Sequence, residues 1–448
     1  MAHTPFRVLI IGAGTGGLCL AHGLRQAGIP VTVFERDATR RDGLHGYRVG
    51  IDPDGSRALH DCLPKDLFDT FVATCARTPT WSNQLTEQRK ELLALPSKSD
   101  PDMVASERSV SRMTLRQVLL TGLGDTVRFG KTFTRYTNNP DATVTAHFED
   151  GTSATADVLV AADGTNSRVR RQYLPHARLE PTGLIGVTGK VPLDDTTRLL
   201  LTERMLNGVS LVIGPNGNTC VYHAMRFPWH APGAPKDGIG STDAALISNW
   251  PGMQFDNTRD YIMWGFAAAA KDLPPDILDM NGTQLQHLVR QRTASWHPDL
   301  RKLFALADPN SCFPLNIRTS VPIQQWVTTN VTLLGDAIHT MTPGRGVGAN
   351  TALRDARLLT RNLTAARDGH TTVLEAIHAY ETKMLAYSTE AVTASLQQMT
   401  ADGAMYKPVI GRAALAGMRT AFRVINRVPP LKRRIAASFE AFRNQDED

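Results

Sequence analysis

Arg7-Val-Leu-Ile-Ile-Gly12-Ala-Gly14-Thr-Gly-Gly17-Leu-Cys-Leu-Ala-His-Gly-Leu-Arg-Gln-Ala-Gly28-Ile-Pro-Val31-Thr-Val-Phe-Glu35 decides how the chain begins to fold. Arg7–Ile11 is a short apolar run of strand length, Leu18–Ala27 repeats its apolar residues at helical spacing up to Gly28, and Val31–Glu35 is a second strand. The glycines stand at the strand-to-helix turn. Gly12 permits the tight bend, Gly14 lets backbone approach a pyrophosphate, and Gly17 lets the helix pack close on the strand. The free amides at the start of such a helix attract an anion. Glu35, 18 residues beyond Gly17 and followed by Arg36, ends the second strand where a carboxylate accepts hydrogen bonds from ribose hydroxyls. By itself this unit suits either NAD or FAD.

Two later stretches narrow the choice. Asp157-Val-Leu-Val-Ala-Ala-Asp163-Gly164 carries an apolar strand into a carboxylate and a flexible backbone, with Ser167, Arg168 and Arg170 following. In an open α/β sheet the carboxyl ends of the strands are where ligands bind. Val331–Leu334 delivers a second carboxylate in the same way at Gly335-Asp336, well suited to a polyhydroxyl chain such as ribityl. Beyond it, Pro343, Gly346, Val347, Gly348 and Asn350 open a helix whose unblocked amides face a developing anion.

The three motifs, in this order, resemble those of the class A flavoprotein monooxygenases, the group with the p-hydroxybenzoate hydroxylase fold, which includes aromatic and polyketide hydroxylases and tetracycline-inactivating monooxygenases. The likeness runs from residue 7 to about residue 400. It implies non-covalent FAD, NAD(P)H as co-substrate without a domain of its own, and oxygen delivered through a flavin C4a-hydroperoxide to a hydrophobic aromatic or polyketide-like molecule. It also implies cofactor contacts by Arg48, in Gly46-Tyr47-Arg48-Val49-Gly50, and by Arg116, with Arg112 one turn earlier. The alternatives are a reductase or dehydrogenase of the same fold acting on a prenyl or polycyclic substrate, or a flavin-fold binding protein without redox activity.

The expected fold class is α/β, a Rossmann-like FAD domain of discontinuous segments with an inserted, mainly antiparallel substrate sheet and C-terminal helices. The FAD domain takes residues 1–75, 104–175 and 312–366, the substrate domain 76–103 and 176–311, and the C-terminal helices 367–448. Alternating segments at Val209–Ile213, Thr219–Met225 and Tyr261–Phe266 place Tyr222, His223, Met225, Arg226, Trp264 and Phe266 as candidates to line a substrate pocket. The chemistry belongs to the cofactor, so no acid–base residue is required. His339 and Arg345 lie close enough to the third motif to be considered as catalytic groups.

At 448 residues, 42% hydrophobic and 21% charged, the composition is that of a soluble protein of two domains. The N-terminus does not read as a signal peptide, and no apolar run has the length of a membrane span. Five scattered cysteines without CxxC pairing favour a reducing, cytoplasmic setting and no metal site. The formal charge of +6 is local. Eight basic residues and no acidic one fall between Gly403 and Phe439, leaving about −2 for the remainder. Nucleic-acid binding therefore has no support from the body of the chain. Met418, Phe422, Ile425 and Val428 recur at helical spacing beside Arg419, Arg423 and Arg427. That amphipathic tail is expected to pack on the domains rather than on an anionic membrane.

Overall fold

The computed structural model describes residues 6–39, 48–97, 102–227, 260–407 and 410–442. Gly46 and Tyr47, the first half of the expected Arg48 motif, lie outside them.

The chain is α/β, as its pattern implies. One sheet has five parallel strands in the order Val331–Leu333, Val158–Ala161, Val8–Ile11, Val31–Phe34, Val127–Arg128. Strands Val8–Ile11, Val158–Ala161 and Val331–Leu333 are short, apolar and buried on both faces, while Val31 and Thr32 are half-buried and Arg128, on the edge strand, is exposed. Helix Thr15–Gln26 packs against helix Gly348–Arg367, joining the two ends of the sequence around this layer.

The second sheet has seven strands, ordered Phe313–Ser320, Leu179–Pro192, Tyr261–Ala269, Thr219–Met225, Gly208–Ile213, Trp81–Thr86, Glu91–Pro96. All its pairings are antiparallel except that of Gly208–Ile213 with Trp81–Thr86. Each sheet draws strands from separate stretches of sequence, so each interrupts the other. The expected boundary at residue 312 falls just before the last strand of the seven-stranded sheet.

The long strand Leu179–Pro192 is the element that local pattern hides. Pro181, Gly183, Gly186 and Gly189 read as turn residues. In the sheet, a bulge between Pro181 and Ile185 accommodates the first pair. Gly189 is needed for closeness, since a Cβ there would come within 2.5 Å of the Trp264 ring.

Helix Gly411–Arg427 runs along the outer edge strand Glu91–Pro96. Asn426 Oδ1 accepts the edge amide of Ala94 at 3.4 Å, and Arg419 pairs with Glu87 and donates to the carbonyl of Ile213 at 2.7 Å. Leu415 is buried and Met418, Phe422 and Ile425 are half-buried, while Val428 is exposed. The helix thus covers an edge that would otherwise offer unpaired backbone groups. No helix among the described residues is long and apolar enough to cross a membrane.

Candidate functional site

In a parallel sheet, neighbouring strands end on the same side. Register makes this concrete: Leu333, Ala161, Ile11 and Phe34 stand side by side. Gly335-Asp336, Asp163-Gly164, Gly12 and Glu35 therefore leave from one edge, over a row about 14 Å wide at the usual strand spacing.

The glycine turn is tightly determined. Gly12 has φ +108°, and a Cβ on it would lie 2.3 Å from the carbonyl oxygen of Ala162. No other residue fits between the two adjacent strand ends. Gly14 caps helix Thr15–Gln26 without a side-chain hydrogen bond, which leaves the first amides open. Glu35 folds back onto this turn, its Oε2 accepting the Ala13 amide at 2.7 Å and its Oε1 that of Asp37 at 3.0 Å. Arg116 closes the corner, 2.9 Å from Asp37, 3.8 Å from Glu35, and donating to the Ala13 carbonyl at 3.4 Å. Arg36 is exposed beside them.

Asp163 Oδ2 accepts the amide of Arg168 at 2.8 Å, anchoring the start of the short helix Arg168–Tyr173, while Oδ1 is buried without a protein partner. Asp336 is exposed although protein surrounds it, the condition of a group on the floor of a cleft. Burial pushes both carboxyls above their ordinary range, against opposing interactions from Ser167 and Arg168 at Asp163 and from His339 and Arg112 at Asp336. Two carboxylates short of donors at one strand edge are matched to a ligand rich in hydroxyls. Arg170 ties the second and third motifs together, donating to Ala337 O at 2.8 Å and to Thr165 O at 3.0 Å. The structure sets Arg112 toward Asp336 and Arg116 toward the glycine turn, so the two serve different ends of the row.

Gly164 and Gly346 keep open backbone, a Cβ on Gly348 would touch Met341 at 3.5 Å, and the helix beginning at Gly348 has no side-chain cap. Pro343 is exposed, whereas Arg345 and Val347 are half-buried. Asn350 is committed to the protein. Its Oδ1 accepts the Asp52 amide at 3.1 Å and its Nδ2 donates to Gly50 O at 3.0 Å. A Cβ on Gly55 would come within 2.2 Å of that Oδ1, so Asn350 and Gly55 fix each other.

Arg48 donates to Ser109 Oγ at 3.1 and 3.0 Å and lies across Gly50. Burial first, and the Arg48 charge second, hold His223 well below an ordinary imidazole. The strand bearing Arg48 thus meets the face of the seven-stranded sheet to which His223 belongs.

Strand parity corrects the pocket candidates. Tyr222, Trp264 and Phe266 do not reach the cleft. They fill the opposite face, where Phe304 of helix Pro298–Ala305 packs 5.1 Å from the Trp264 ring. His223 and Met225 lie on the Arg48 side but are buried, Met225 in a small cluster with Ala76, Phe227 and Tyr261. Arg226 is half-buried and engaged with Asn207. The half-buried residues of the Arg48 side include Val209, Leu211, Val221, Met263, Gly265 and Leu315, which residue type did not single out, with the polar Ser82, Gln84, Lys190 and Thr219 beside them. A Cβ on Gly265 would meet nothing within 4 Å. His339, considered as a catalytic base, is buried at 3% exposure and bonded to Asp355 at 2.6 Å, away from the cleft.

Residues 10–57 match the NAD(P)-binding Rossmann-like domain and residues 288–395 the FAD binding domain. A structure of an FAD-containing monooxygenase of Photorhabdus luminescens is 34% identical, spans 88% of this chain and 97% of its own, and superimposes with a TM-score of 0.74. This chain belongs to the FAD-dependent monooxygenases. Among other members, the FAD-dependent urate hydroxylase of Klebsiella pneumoniae is 28% identical over 84% of this chain and 85% of its own. The dual O-methyltransferase/FAD-dependent monooxygenase of Phaeosphaeria nodorum is 31% identical over 78% of this chain, of which it matches only 39% of its own length. The chain spans about two fifths of such dual-function relatives. An FAD monooxygenase needs a cradle for a long, hydroxyl-rich dinucleotide, and the orphaned Asp163 oxygen, the exposed Asp336 and the uncapped helix starts fit that group.

Proposed function

We propose that the chain is an NAD(P)H-dependent FAD monooxygenase that inserts one oxygen atom from O2 into a hydrophobic, ring-containing small molecule. The observation that carries this reading is the shared edge at which Glu35, Gly12, Asp163 and Asp336 emerge from four adjacent parallel strands.

When bound, FAD would supply hydride acceptance and oxygen activation. The chain's own residues hold it. The open amides after Gly14 receive the pyrophosphate, Glu35 takes ribose hydroxyls with Arg116 fixing its corner, and Asp336 takes the ribityl chain with Arg112 nearby. Asp163, Gly164, Gly335, Gly346, Val347 and Gly348 line the same edge, and Arg48 approaches it from the substrate side. Asn350 and His339 support the cradle from behind.

The substrate wall is the half-buried face of the seven-stranded sheet. Val209, Leu211, Val221, Met263 and Leu315 supply its apolar part, bordered by Ser82, Gln84, Lys190 and Thr219, and Gly265 leaves it room, so a flat hydrophobic molecule with a polar edge would displace water from it. Aromatic and polycyclic compounds are the class that fits, in keeping with relatives named for aurachin C, urate and tetracycline. Five buried, free cysteines accord with a reducing compartment such as the cytoplasm. The packing of Gly411–Arg427 on the sheet edge supports a structural role for the basic tail.

The test is turnover under oxygen-18 gas with candidate aromatic metabolites. The purified protein should be yellow, bleach with NAD(P)H, and give a product one labelled oxygen heavier. Unlabelled product would leave a reductase or dehydrogenase instead, and a colourless preparation indifferent to flavin would end the reading.

A further inference from the structure

Behind Asp336 lies a buried network that the proposed reaction does not use. Asp355, fully buried on helix Gly348–Arg367, accepts three hydrogen bonds: from Gly335 N at 2.7 Å, His339 Nε2 at 2.6 Å and Tyr387 OH at 2.6 Å. The Arg354 guanidinium lies over the Tyr387 ring, 4.2 Å from its centre. Helix Val373–Gln398, which bears Tyr387, also grips the preceding strand, since Tyr380 OH donates to Leu333 O at 2.8 Å.

Gly335 is the reason such a clamp matters. Its backbone, at φ +60° and ψ −145°, occupies a region open essentially to glycine. That turn directs the next residue, Asp336, toward the cleft while His339, on the same helical turn, points inward. With its N–H donating to Asp355 on one side and its carbonyl accepting the His339 amide at 3.0 Å on the other, the turn has one posture. A glycine without those bonds would have several.

We infer that His339 is a positioning residue for the cofactor cradle, acting through Asp355 on Gly335 and supplying a buried positive charge beneath Asp336. The inference rests on the FAD reading above.

Burial alone would discharge His339. The attraction and hydrogen bond of Asp355, joined by the charge of Asp336, overcome this and raise the imidazole above its ordinary value. Two carboxylates thus bracket one imidazolium, and it opposes the rise that burial imposes on Asp336. The other charged or titratable groups near this turn come from each element packed on it. The segment Arg168–Tyr173 brings Arg170, the strand Phe313–Ser320 brings Arg318, and helix Val373–Gln398 brings Tyr380 and Tyr387. Arg112 faces Asp336 from the helix after Ser111. Arginines and tyrosines keep their charge state near neutral pH, whereas Glu381, beside Tyr380 on the same helix, is raised by burial to about 7 and changes there along with His339, so Glu381→Gln separates the two contributions. Its Nδ1 is buried without a protein partner, and His339 shares with Ser320, Ser388 and Thr389 a cavity of about 20 Å³, room for one water to complete the imidazolium's bonds.

The experiment titrates FAD into the full chain stripped of flavin, reading fluorescence quenching from about pH 6 to about pH 9, across the range where an imidazole titrates. His339→Gln keeps a donor toward Asp355 and removes the charge. It should bind FAD about tenfold more weakly than the unmodified protein at the acid end, the size expected for one charge-assisted interaction. The gap should close as pH rises, because the unmodified protein loses the same charge. Tyr387→Phe, which loosens the clamp and leaves the imidazolium in place, should weaken FAD binding by about threefold at every pH, a fraction of one hydrogen bond to a carboxylate because it reaches the cradle only through Asp355 and Gly335. Glu381→Gln, on the same helix but not bonded to Asp355, should bind as the unmodified protein does. Equal affinity of His339→Gln and the unmodified protein, or a gap of constant size across the pH range, would overturn the inference while leaving FAD binding intact. An unmodified protein that takes up no FAD would instead overturn the reading on which it rests.

Discussion

The two sheets answer different questions. In the five-stranded sheet the strands Val8–Ile11, Val158–Ala161 and Val331–Leu333 are buried on both faces, so their ends are what can carry chemistry, and glycine or a carboxylate at an end stands out from the apolar run before it. In the seven-stranded sheet one face packs on helices and the other stays half-open, so function depends on which way each side chain points. That is a matter of parity, and a shift of one residue reverses it. Chemistry at strand ends is announced by residue type. Chemistry on a strand face is not.

The largest effect tests the strand ends. Gly12→Val places a side chain where 2.3 Å separates its Cβ from Ala162 O, and Gly12 has a φ that valine rarely adopts. The variant should retain no flavin, measured as visible absorbance per protein. Flavin at unmodified stoichiometry would mean the turn is not where the dinucleotide lies.

The face comparison is sharpened by a pair on one strand. Trp264→Ala empties the packed side and should cost about 3–5 kcal/mol in denaturant unfolding, the range for buried aromatics. Its neighbour Met263→Ala, on the half-buried side, should cost about 1 kcal/mol or less while changing KM for an aromatic substrate. Reversal of those two outcomes would invert the assignment of the faces.

Polar groups behind the five-stranded sheet are structural, and Glu381 shows how. It is buried with Thr332 Oγ1 donating at 2.8 Å and Thr328 Oγ1 at 2.7 Å. Burial raises its carboxyl from 4.5 to about 7. A folded-state value above the unfolded one gives stability that is complete below pH 4.5 and lost as pH rises through about 7. Glu381→Gln should abolish that decline and be more stable in mild alkali by up to about 3 kcal/mol, at 1.36 kcal/mol per unit. Thermal melts across the pH series check it, and parallel profiles for the two proteins would refute the assignment.

The smallest effect concerns the covered edge. Arg419→Ala removes the partner of Glu87 and of the Ile213 carbonyl. It should lower stability by about 1 kcal/mol, as for one partly exposed charged anchor. An unchanged midpoint would show that the tail is held by its apolar stripe alone.

Much of this was legible beforehand. The three motifs, the fold class and most helices could be read because each rests on local signals: a glycine turn, an apolar run ending in Asp, an apolar repeat at helical spacing. Leu179–Pro192 was hidden because its glycines serve a bulge and a tryptophan ring contributed by distant sequence. Tyr222, Trp264 and Phe266 were misassigned because a large aromatic suits a pocket and a core equally well, and only the packing of Phe304 on the first two and of Trp296 on the third distinguishes them. Asn350 and His339 sit in a recognisable motif, yet their partners, Asp52, Gly50 and Asp355, are known only from the fold.

The amino-acid sequence by itself determined that a dinucleotide would be held where parallel strands end, because backbone geometry at a glycine turn and the open amides of a helix start are properties of a few consecutive residues. Tertiary structure alone decided which sheet face is packed, which is left half-buried and which buried groups brace the strand ends. Those depend on distances between side chains far apart in the chain, and no local pattern encodes them.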